Sequence, residues 1–356
     1  MTTLAPSPRP QASELLAAPP LPRTDPIERL PILILFPHSR CNCRCLMCDI
    51  WREKRKDELS AEDVQRWLPD WRLLGVERVV LSGGEALLHS DLWAFCAPLK
   101  EAGIGITLLS TGILLTRDAE ELVRWCDDVV VSLDGPREVH DHIRNLPRAY
   151  DKLAEGVAAV RNADPRVTVT GRCTVQRANY RELRATVRAS HELGLERISF
   201  LAADVSSEAF NRPGGWEAER ASGISLGPED LLGLAAELAA LEYEHAADFA
   251  SGFIAESAEK LHRRLYLYFA ALASEEGKRD FPAVECNAPW VSSVVEADGT
   301  VRPCFFQPPL GNLRQGKTFT EILNGPAAIA WRRGLDMERD AICRRCVCSL
   351  SLRETS

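Results

Sequence analysis

The chain has 356 residues, 26% of them charged, and a formal net charge of −8. Proteins that bind nucleic acid normally carry a basic face, so this acidic balance argues against a nucleic-acid partner. No apolar run is long enough to cross a bilayer, and the N-terminus lacks the layout of a secretory signal, so we expect a cytoplasmic protein without a membrane partner. In that reducing compartment, its twelve cysteines indicate metal or redox chemistry rather than disulfides.

The first 30 residues are rich in proline, with alanine and serine between the prolines. Such a composition offers too little apolar surface to build a packed core. We therefore predict that residues 1–30 are a disordered lead-in. The prolines concerned are Pro6, Pro8, Pro10, Pro19, Pro20, Pro22 and Pro26.

Residues 31–203 alternate between short β-branched runs and amphipathic helical stretches, which is typical of repeated βα units around a parallel sheet. The clearest helix begins at Ser60, where Asp63 completes a sequence resembling a capping box. Six such units predict an α/β fold, a partial (β/α)6 barrel related to the TIM barrel. The predicted strands are 32–36, 78–81, 105–109, 128–133, 166–174 and 197–200.

Three closely spaced cysteines follow the first predicted strand. Cys41, Cys45 and Cys48 are separated by three and then by two residues. Three thiolates can hold a cubane iron–sulfur cluster and leave its fourth iron open to a ligand from outside the protein. The alternatives are a zinc site or surplus thiols, although zinc motifs normally show paired C-x2-C knuckles. The spacing therefore favours a cluster with one open iron.

Glycine, glutamate and hydroxyl residues follow the next predicted strands. In barrels of parallel strands, active residues lie at the carboxyl ends, so these residues share one face with the three cysteines. Glycines allow the backbone to approach a ligand, whereas the alternative for all these residues is ordinary turn formation or capping. They are Gly83, Gly84 and Glu85 after the second strand, Ser110 and Thr111 after the third, and Ser132 at the end of the fourth.

Residues 204–283 carry no motif that can be translated into chemistry, and we predict a helical substrate or lid segment. Helices are expected at 231–241 and 258–272, and the loop 212–216 could cover the mouth of the barrel. Asp204, just past the sixth strand, stands where a proton acceptor could lie, but such acids also cap loops.

Residues 284–356 contain a second group of cysteines around a predicted β-hairpin. The runs 291–296 and 300–305 flank Asp298 and Gly299, a strong turn signal. The C-x2-C spacing pairs Cys343 with Cys346 and leaves Cys348 as an alternative ligand. A structural zinc site is the competing interpretation. The cysteines of this group are Cys286, Cys304, Cys343, Cys346 and Cys348.

The cysteine triplet, together with the run Leu81-Ser-Gly-Gly-Glu85, resembles the radical S-adenosylmethionine (radical SAM) superfamily. The resemblance implies a [4Fe-4S] cluster on the three cysteines, with the amine and carboxylate of S-adenosylmethionine on the open iron. It further implies that one electron breaks the cofactor's sulfur–carbon bond and frees a 5'-deoxyadenosyl radical, which takes a hydrogen from the substrate.

The same resemblance implies the contacts of that cofactor. Met47 stands where an aromatic residue commonly precedes the last cysteine, and its main chain can still approach adenine. Arg144 is a second candidate for the carboxylate of the cofactor, although a solvated helix-surface charge would need no such role. The other implied contacts are Gly83, Gly84 and Glu85 for the ammonium group, Ser110, Thr111 and Ser132 for the ribose and methionine portions, and Arg172 for the carboxylate.

The C-terminal cysteines resemble the auxiliary-cluster module called SPASM, or its shortened form called twitch. This resemblance implies one auxiliary iron–sulfur cluster, a [4Fe-4S] cluster, because a second one would need further cysteines after the C-x2-C pair. Its implied ligands are Cys286, Cys304, Cys343 and Cys346, and the remaining thiols, Cys43, Cys96, Cys126 and Cys173, are expected to pack as small apolar residues.

Three functional hypotheses follow from these observations. The first is an oxidoreductase-type radical SAM enzyme that oxidises, epimerises or rearranges a small molecule, with electrons from a flavodoxin- or ferredoxin-type donor. The second is a peptide or protein maturase, although the short lead-in leaves no room for a folded leader-recognition domain. The third is a non-catalytic iron–sulfur or zinc protein, against which the residues at the other strand ends count.

Overall fold

The computed structural model describes residues 19–274 and 279–353. Its central sheet begins with six parallel strands in the order β6-β5-β4-β3-β2-β1. This arrangement confirms the predicted α/β partial barrel, and each strand end lies within two residues of its prediction. The strands are β1 (Ile32–Leu35), β2 (Arg78–Leu81), β3 (Gly105–Ser110), β4 (Asp128–Ser132), β5 (Thr168–Val175) and β6 (Ile198–Ala202).

Helices connect successive strands, as parallel pairing requires. The first helix has the predicted capping box: Ser60 Oγ accepts from the Asp63 N–H at 3.1 Å, and the Asp63 carboxylate accepts from the Ser60 N–H at 3.1 Å. The connecting helices are α1 (Ala61–Leu73), α2 (Leu92–Glu101), α3 (Leu115–Trp125), α4 (Arg137–Arg144), α5 (Ala149–Ala163) and α6 (Leu183–Glu192).

The core of the barrel lies between the sheet and these helices. Alternate strand residues such as Val79 and Leu81 are fully buried and belong to one cluster with Trp71 and Phe95 of the helices. The other strand positions face the interior of the barrel, where Arg172 of β5 is exposed. Side chains of a strand alternate between the two faces of the sheet, so one face builds the core and the other leaves space for a ligand.

Polar side chains contact one another at the amino-terminal end of the parallel strands. Arg78 Nη1 lies 2.8 Å from Asp128 Oδ2 and donates to Thr107 Oγ1 at 3.0 Å. These residues stand on three neighbouring strands. These contacts link the strands at the end opposite to the cysteine triplet.

The C-terminal module extends the same sheet. Strand β7 (Ser292–Val295) pairs in parallel with β1, and β8 (Thr300–Arg302) and β9 (Gly311–Asn312) follow in antiparallel pairing. The predicted hairpin is present, with shorter strands than expected, and β9 was not predicted. The module thereby joins the edge of the barrel at the strand that leads into the cysteine triplet.

The remaining helices occupy residues 204–353. The helix predicted at 231–241 is present and runs three residues further, whereas the one predicted at 258–272 is interrupted by the π-helical stretch His262–Leu267. In the described part of the chain, no helix is long and apolar enough to span a membrane. The helices are α7 (Ala218–Ile224), α8 (Leu231–Glu244), α9 (Ala246–Ser251), α10 (Ala258–Leu261), α11 (Tyr268–Leu272), α12 (Ala288–Val291), α13 (Phe319–Leu323) and α14 (Pro326–Gly334).

The predicted lead-in is packed where the structure describes it. Residues 1–18 lie outside the described residues, but Ile27 and Leu30 are buried in the main core. The Leu21 N–H donates to the Leu352 carbonyl at 2.8 Å, and the Ile27 N–H donates to Asn324 Oδ1 at 2.8 Å. The prediction of disorder is therefore wrong for residues 19–30, because the prolines exclude regular structure there but do not prevent apolar side chains from being buried.

Candidate functional site

The cysteine triplet lies in the loop that follows β1, at the carboxyl end of the barrel. Cys45 is buried, and Cys41 and Cys48 are half-buried. The loop is fixed to the end of α4, since the Leu46 N–H donates to the Ile143 carbonyl at 3.0 Å. Three thiols are therefore held in one short segment at the barrel end where ligands bind in this fold class.

The three thiols differ in their tendency to ionise. A hydrogen bond with Cys43 and the positive charge of Arg144 lower the pKa of Cys45 to about 6. Burial and the neighbouring Cys45 thiolate raise the pKa of Cys48 to about 12 and also raise the pKa of Cys41. A bound metal ion deprotonates its thiol ligands outright, so metal ions bound here would hold Cys41 and Cys48 as thiolates despite their raised pKa values. Cys43, which was expected to pack as a small apolar residue, thus has Cys45 as a hydrogen-bond partner within the loop.

The glycine pair of the second motif lies against the cysteine loop. A Cβ on Gly84 would stand 2.0 Å from the Arg40 carbonyl oxygen, and Gly83, with φ of +100°, would bring one to 3.0 Å from Phe36. The Glu85 N–H also donates to the Arg40 carbonyl at 2.9 Å. The glycines are therefore required by the approach of the two loops to each other, before any ligand is considered.

Glu85 is completely buried and makes its contacts within the protein. Its Oε2 accepts from the Thr111 N–H at 2.7 Å and from Thr111 Oγ1 at 2.6 Å, and its Oε1 accepts from Ser110 Oγ at 3.0 Å. Burial raises the pKa of Glu85, and the Thr111 hydrogen bonds oppose that rise. These three side chains were predicted to contact a cofactor, but here they bind one another. The backbone carbonyls of the glycine turn stay candidates for an ammonium contact.

Ser132 and Arg172 are paired across β4 and β5 in the register of the sheet. The Arg172 side chain is exposed, with its Nε 3.5 Å from Ser199 Oγ. Both residues stand on strand positions that face the barrel interior, where a guanidinium can bind a carboxylate of a ligand. Met47 is half-buried and packs against the cluster formed by Ala203, Val205 and Ile224.

Arg144 was predicted either to contact the cofactor or to be a solvated surface charge, and in the structure it is buried. Its Nη1 lies 3.5 Å from Cys45 Sγ, and its Nη2 lies 2.5 Å from Asp134 Oδ2. The surface-charge alternative is therefore wrong. The guanidinium is instead the positive charge nearest to the buried thiol of the triplet.

Asp49, directly after the last cysteine, is a site residue that the sequence analysis missed. Its carboxylate accepts from Trp216 Nε1 at 2.6 Å and from Arg220 at 2.6 Å, and it pairs with Arg52 at 2.9 Å. The predicted loop 212–216 is thereby tied to the cysteine loop. Only the position beside Cys48 could have drawn attention to this acid, because Trp216 and Arg220 lie more than 160 residues further along the chain.

Asp204 is not available as a proton acceptor. It is buried, and Arg212 Nη2 contacts its carboxylate at 2.6 Å while Arg212 Nη1 donates to its carbonyl at 2.7 Å. Arg212 also stacks on Trp216, with 4.5 Å between the guanidinium carbon and the ring centroid. Asp204 therefore stabilises the loop between β6 and α7, which was the alternative interpretation.

The C-terminal cysteines form a second group. Burial, together with the nearby thiols of Cys286 and Cys348, raises the pKa of Cys304 to about 11. Burial also raises the pKa of Cys346, and the nearby Cys348, Cys304 and Cys286 act in the same direction. Burial likewise raises the pKa of Cys343 to about 12, with Cys304 again nearby. The choice between Cys346 and Cys348 as fourth ligand stays open, because both lie in this group.

A cleft of about 660 Å³ lies between the loops of the barrel and the hairpin module. Gly83, Gly84 and the loop 206–213 form one side, and Phe305 and Phe306, next to Cys304, form the other. Phe210 links these sides, with ring centroids 4.9 Å from Phe305 and 6.0 Å from Phe306. The cleft thus runs between the cysteine loop and the hairpin module.

The residues present fit iron–sulfur clusters by the chemistry of their donors, since each group offers buried or half-buried thiols with no competing disulfide. Within residues 19–274 and 279–353, no three histidine, cysteine, aspartate or glutamate side chains converge on one metal-ion position. The first group additionally has the Arg144 guanidinium beside it, which can compensate thiolate charge.

Comparison with protein families identifies two domains in the chain. The model described as "Radical SAM superfamily" matches residues 35–190, and the SPASM model, described as "Iron-sulfur cluster-binding domain", matches residues 286–347. These domain types imply S-adenosylmethionine, a [4Fe-4S] cluster and an auxiliary iron–sulfur cluster as cofactors.

Similar curated proteins include the AdoMet-dependent heme synthase of Methanosarcina barkeri, 28% identical over 159 residues, which are 43% of this chain and 45% of that protein. The chain therefore spans less than half the length of this relative. The PqqA peptide cyclase of Ruegeria pomeroyi is 26% identical over 319 residues, which are 86% of this chain and 77% of that protein.

Solved structures with the same fold include Streptococcus suis SuiB bound to S-adenosylmethionine, with a TM-score of 0.63 and 15% identity over 91% of this chain and 73% of that one. Native anSMEcpe with bound AdoMet has a TM-score of 0.60 and 20% identity over 83% of this chain and 82% of that one. At these identities the likeness shows the fold. The chain therefore carries a radical SAM domain over residues 35–190 and a SPASM domain over residues 286–347.

Proposed function

We propose that this chain is an oxidoreductase-type radical SAM enzyme that acts on a small molecule. Cys41, Cys45 and Cys48 hold the [4Fe-4S] cluster that binds S-adenosylmethionine. When bound, this pair of cofactors supplies a 5'-deoxyadenosyl radical that removes a hydrogen from the substrate. The observation that carries the proposal is the cleft itself, because it is lined by the glycine turn, by Ser39 and Ile50 on either side of the cysteine triplet, and by the two phenylalanines that follow Cys304.

Different residues of the chain bind different portions of S-adenosylmethionine. The backbone of Gly83 and Gly84 accepts hydrogen bonds from the cofactor's ammonium group, Arg172 binds its carboxylate, and Ser132 lies across the strand pair from that arginine. The main chain at Met47 approaches the adenine. Glu85, Ser110 and Thr111 support the glycine turn through their hydrogen bonds with one another rather than contacting the cofactor.

An auxiliary [4Fe-4S] cluster is proposed on Cys286, Cys304, Cys343 and Cys346, with Cys348 as the alternative fourth ligand. Residues 31–203 form the barrel, 204–283 the substrate or lid segment, and 284–356 the auxiliary module. The Asp49 contacts with Trp216 and Arg220 support a lid role, because they tie residues of that segment to the cluster loop. Electrons come from a flavodoxin- or ferredoxin-type donor in a reducing, cytoplasmic compartment.

The size and lining of the cleft favour a small substrate. Its volume of about 660 Å³ lies within the range of pockets that enclose small molecules. One wall consists of the rings of Phe36, Phe210, Phe305 and Phe306, which suits an apolar portion of the substrate. Charged residues such as Arg302 and Glu296 stand at the hairpin side, where they pair with each other at 2.6 Å.

A peptide maturase is the second candidate function. It is favoured by the alignment with a PqqA peptide cyclase, which covers 86% of this chain, whereas the heme synthase alignment covers 43%. The same cleft would then hold one side chain of the peptide. A substrate screen with both peptides and small molecules, read as deuterium transfer into 5'-deoxyadenosine, would separate the two.

The first test is anaerobic quantitation of iron and sulfide on reconstituted protein, with a dithionite-driven assay for 5'-deoxyadenosine on the same sample. We expect roughly eight irons per chain, the content of two cubanes, together with cofactor cleavage. The Cys45→Ala variant should abolish cleavage and lose about four irons while leaving the fold largely intact. Retained cleavage in that variant, or zinc in place of iron, would contradict the proposed function.

A further inference from the structure

Arg144 ends helix α4 and is almost completely removed from solvent, with 6% of its surface exposed. A guanidinium in such a place needs anionic or hydrogen-bonding partners, because burying an unpaired charge is strongly unfavourable. Its partners are Asp134 Oδ2 at 2.5 Å and Cys45 Sγ at 3.5 Å. One positive charge thus bridges a carboxylate and a cysteine of the triplet.

Asp134 fixes the guanidinium from the side opposite to the cysteine loop. The Asp134 side chain is fully buried, and its Oδ1 accepts from the Thr174 N–H of β5 at 2.9 Å. A carboxylate tied to a strand in this way is a rigid partner for the guanidinium, which contacts it through Nη2. The orientation of the Arg144 side chain is therefore set by the barrel and not by the loop.

Arg144 also has hydrogen-bonding capacity left over. Its Nε is buried and has no hydrogen-bond partner among the described residues. Buried donors are normally paired, so an unpaired one beside a group that holds a metal cluster indicates an acceptor that comes with the cluster. A thiolate or sulfide sulfur can accept such a hydrogen bond.

The backbone gives a second connection at the same place. The Arg44 N–H donates to the Arg144 carbonyl at 3.3 Å, and the Leu46 N–H donates to the Ile143 carbonyl at 3.0 Å. Both neighbours of Cys45 are therefore held by the last two residues of α4. Any movement of this helix end would move Cys45.

We propose that Arg144 is a positioning residue for the radical SAM cluster: its guanidinium, fixed by Asp134, donates an N–H···S hydrogen bond to the Cys45 thiolate and raises the reduction potential of the cluster. This inference rests on the proposed function of the cysteine triplet. Reduction adds negative charge, which a fixed buried cation stabilises, and hydrogen bonds to sulfur are an established determinant of cluster potentials. It replaces the expectation that Arg144 contacts the cofactor's carboxylate.

The test is a redox titration of reconstituted full-length protein without S-adenosylmethionine, followed by electron paramagnetic resonance. The signal of the radical SAM cluster is assigned as the one that changes when the cofactor is added. We expect Arg144→Gln to lower the ratio of reduced to oxidised cluster about tenfold at a fixed potential, which is about 59 mV for one electron. Arg144→Lys, which keeps the charge, should recover part of that shift.

Arg137→Gln is the matched control, because Arg137 lies on the same helix, its side chain is 56% exposed and it pairs with Asp151. It should leave the potential unchanged. An unchanged potential in Arg144→Gln and Arg144→Lys overturns the proposal, and weaker cofactor binding in the same variants would assign Arg144 to the cofactor's carboxylate instead. If Arg144→Gln does not retain the cluster, the reduction potential of Arg144→Lys alone tests the proposal, and an unchanged potential in that variant overturns it. Wild-type protein without a cluster would instead contradict the proposed function.

Discussion

Gly84 and Arg40 approach each other so closely that a Cβ on residue 84 would stand 2.0 Å from the Arg40 carbonyl oxygen. Arg40 directly precedes the first cysteine of the triplet. The contact therefore joins the two motifs of the radical SAM core through their backbones. It also means that the second glycine controls where Cys41 stands, even without a bound cofactor.

We expect Gly84→Ala to move the cysteine loop, because the added methyl group meets backbone atoms that no rotamer change can displace. Iron should fall by about four per chain, and 5'-deoxyadenosine formation should be lost. Gly334→Ala is the control, since a Cβ there meets nothing within 4 Å. Full iron content in Gly84→Ala would show that the loop tolerates the shift.

Glu85→Gln tests the buried network behind the glycine turn. An amide keeps the shape of the side chain but faces the Thr111 N–H and hydroxyl with one acceptor fewer and two donors more. We expect a loss of about 1–3 kcal/mol in the free energy of unfolding, the cost of leaving buried donors unpaired. Chemical denaturation of the apoprotein measures this loss.

Glu120→Gln, at an exposed position of α3, is the matched control for Glu85→Gln and should change stability by less than about 0.5 kcal/mol. Equal stability of Glu85→Gln and the control would mean that the hydrogen bonds to Thr111 contribute nothing measurable.

His140 predicts a pH dependence of stability. Burial lowers the pKa of His140 from 6.5 to about 3, and the nearby Arg144 adds to that effect. Because the unfolded chain then binds a proton that the folded chain does not, stability falls as the pH decreases below 6.5. The slope of this contribution is about 1.4 kcal/mol per pH unit until the pH reaches about 3.

Denaturation of the apoprotein at pH 7 and pH 5.5 should therefore show a smaller difference in His140→Gln than in the wild type. His142→Gln removes an exposed histidine from the same helix and should keep the wild-type difference. The same difference in all three proteins would contradict a buried, neutral His140.

The contrast between Ile34 and Glu85 indicates what the sequence could predict. The strand that contains Ile34 was predicted within one residue, because runs of β-branched residues between helical stretches mark buried parallel strands. The three cysteines of the triplet were predicted to hold a cluster from their spacing. The contacts of Glu85 with Ser110, of Arg144 with Cys45 and of Asp49 with Arg220 could not be predicted, because they join residues 25 to 171 positions apart and depend on the closure of the barrel.

The contacts of Asp49 with Trp216 and Arg220 lead to a prediction about dynamics. Asp49→Asn removes the charge that pairs with Arg220 and Arg52 and weakens the hydrogen bond from Trp216. We expect faster amide hydrogen exchange in residues 206–220, because this segment loses side-chain contacts with Asp49, although it keeps the hydrogen bonds of Phe210 and Asn211 to the Asp49 main chain. Asp91→Asn, at an exposed position before α2, should leave that exchange unchanged. Unchanged exchange in Asp49→Asn would show that the loop is held by its own packing.

The ligands of the auxiliary cluster can be separated by single substitutions, since five cysteines compete for four places. Cys304→Ala should lose about four irons, keep some uncoupled cofactor cleavage and lose substrate turnover. Cys346→Ala should behave in the same way, whereas Cys348→Ala should keep both clusters because its thiol is exposed. Cys126→Ala, which removes a buried thiol of the barrel core, is the control for iron content. Loss of iron in Cys348→Ala with full iron in Cys346→Ala would instead make Cys348 the fourth ligand of the auxiliary cluster and leave Cys346 without a ligand role.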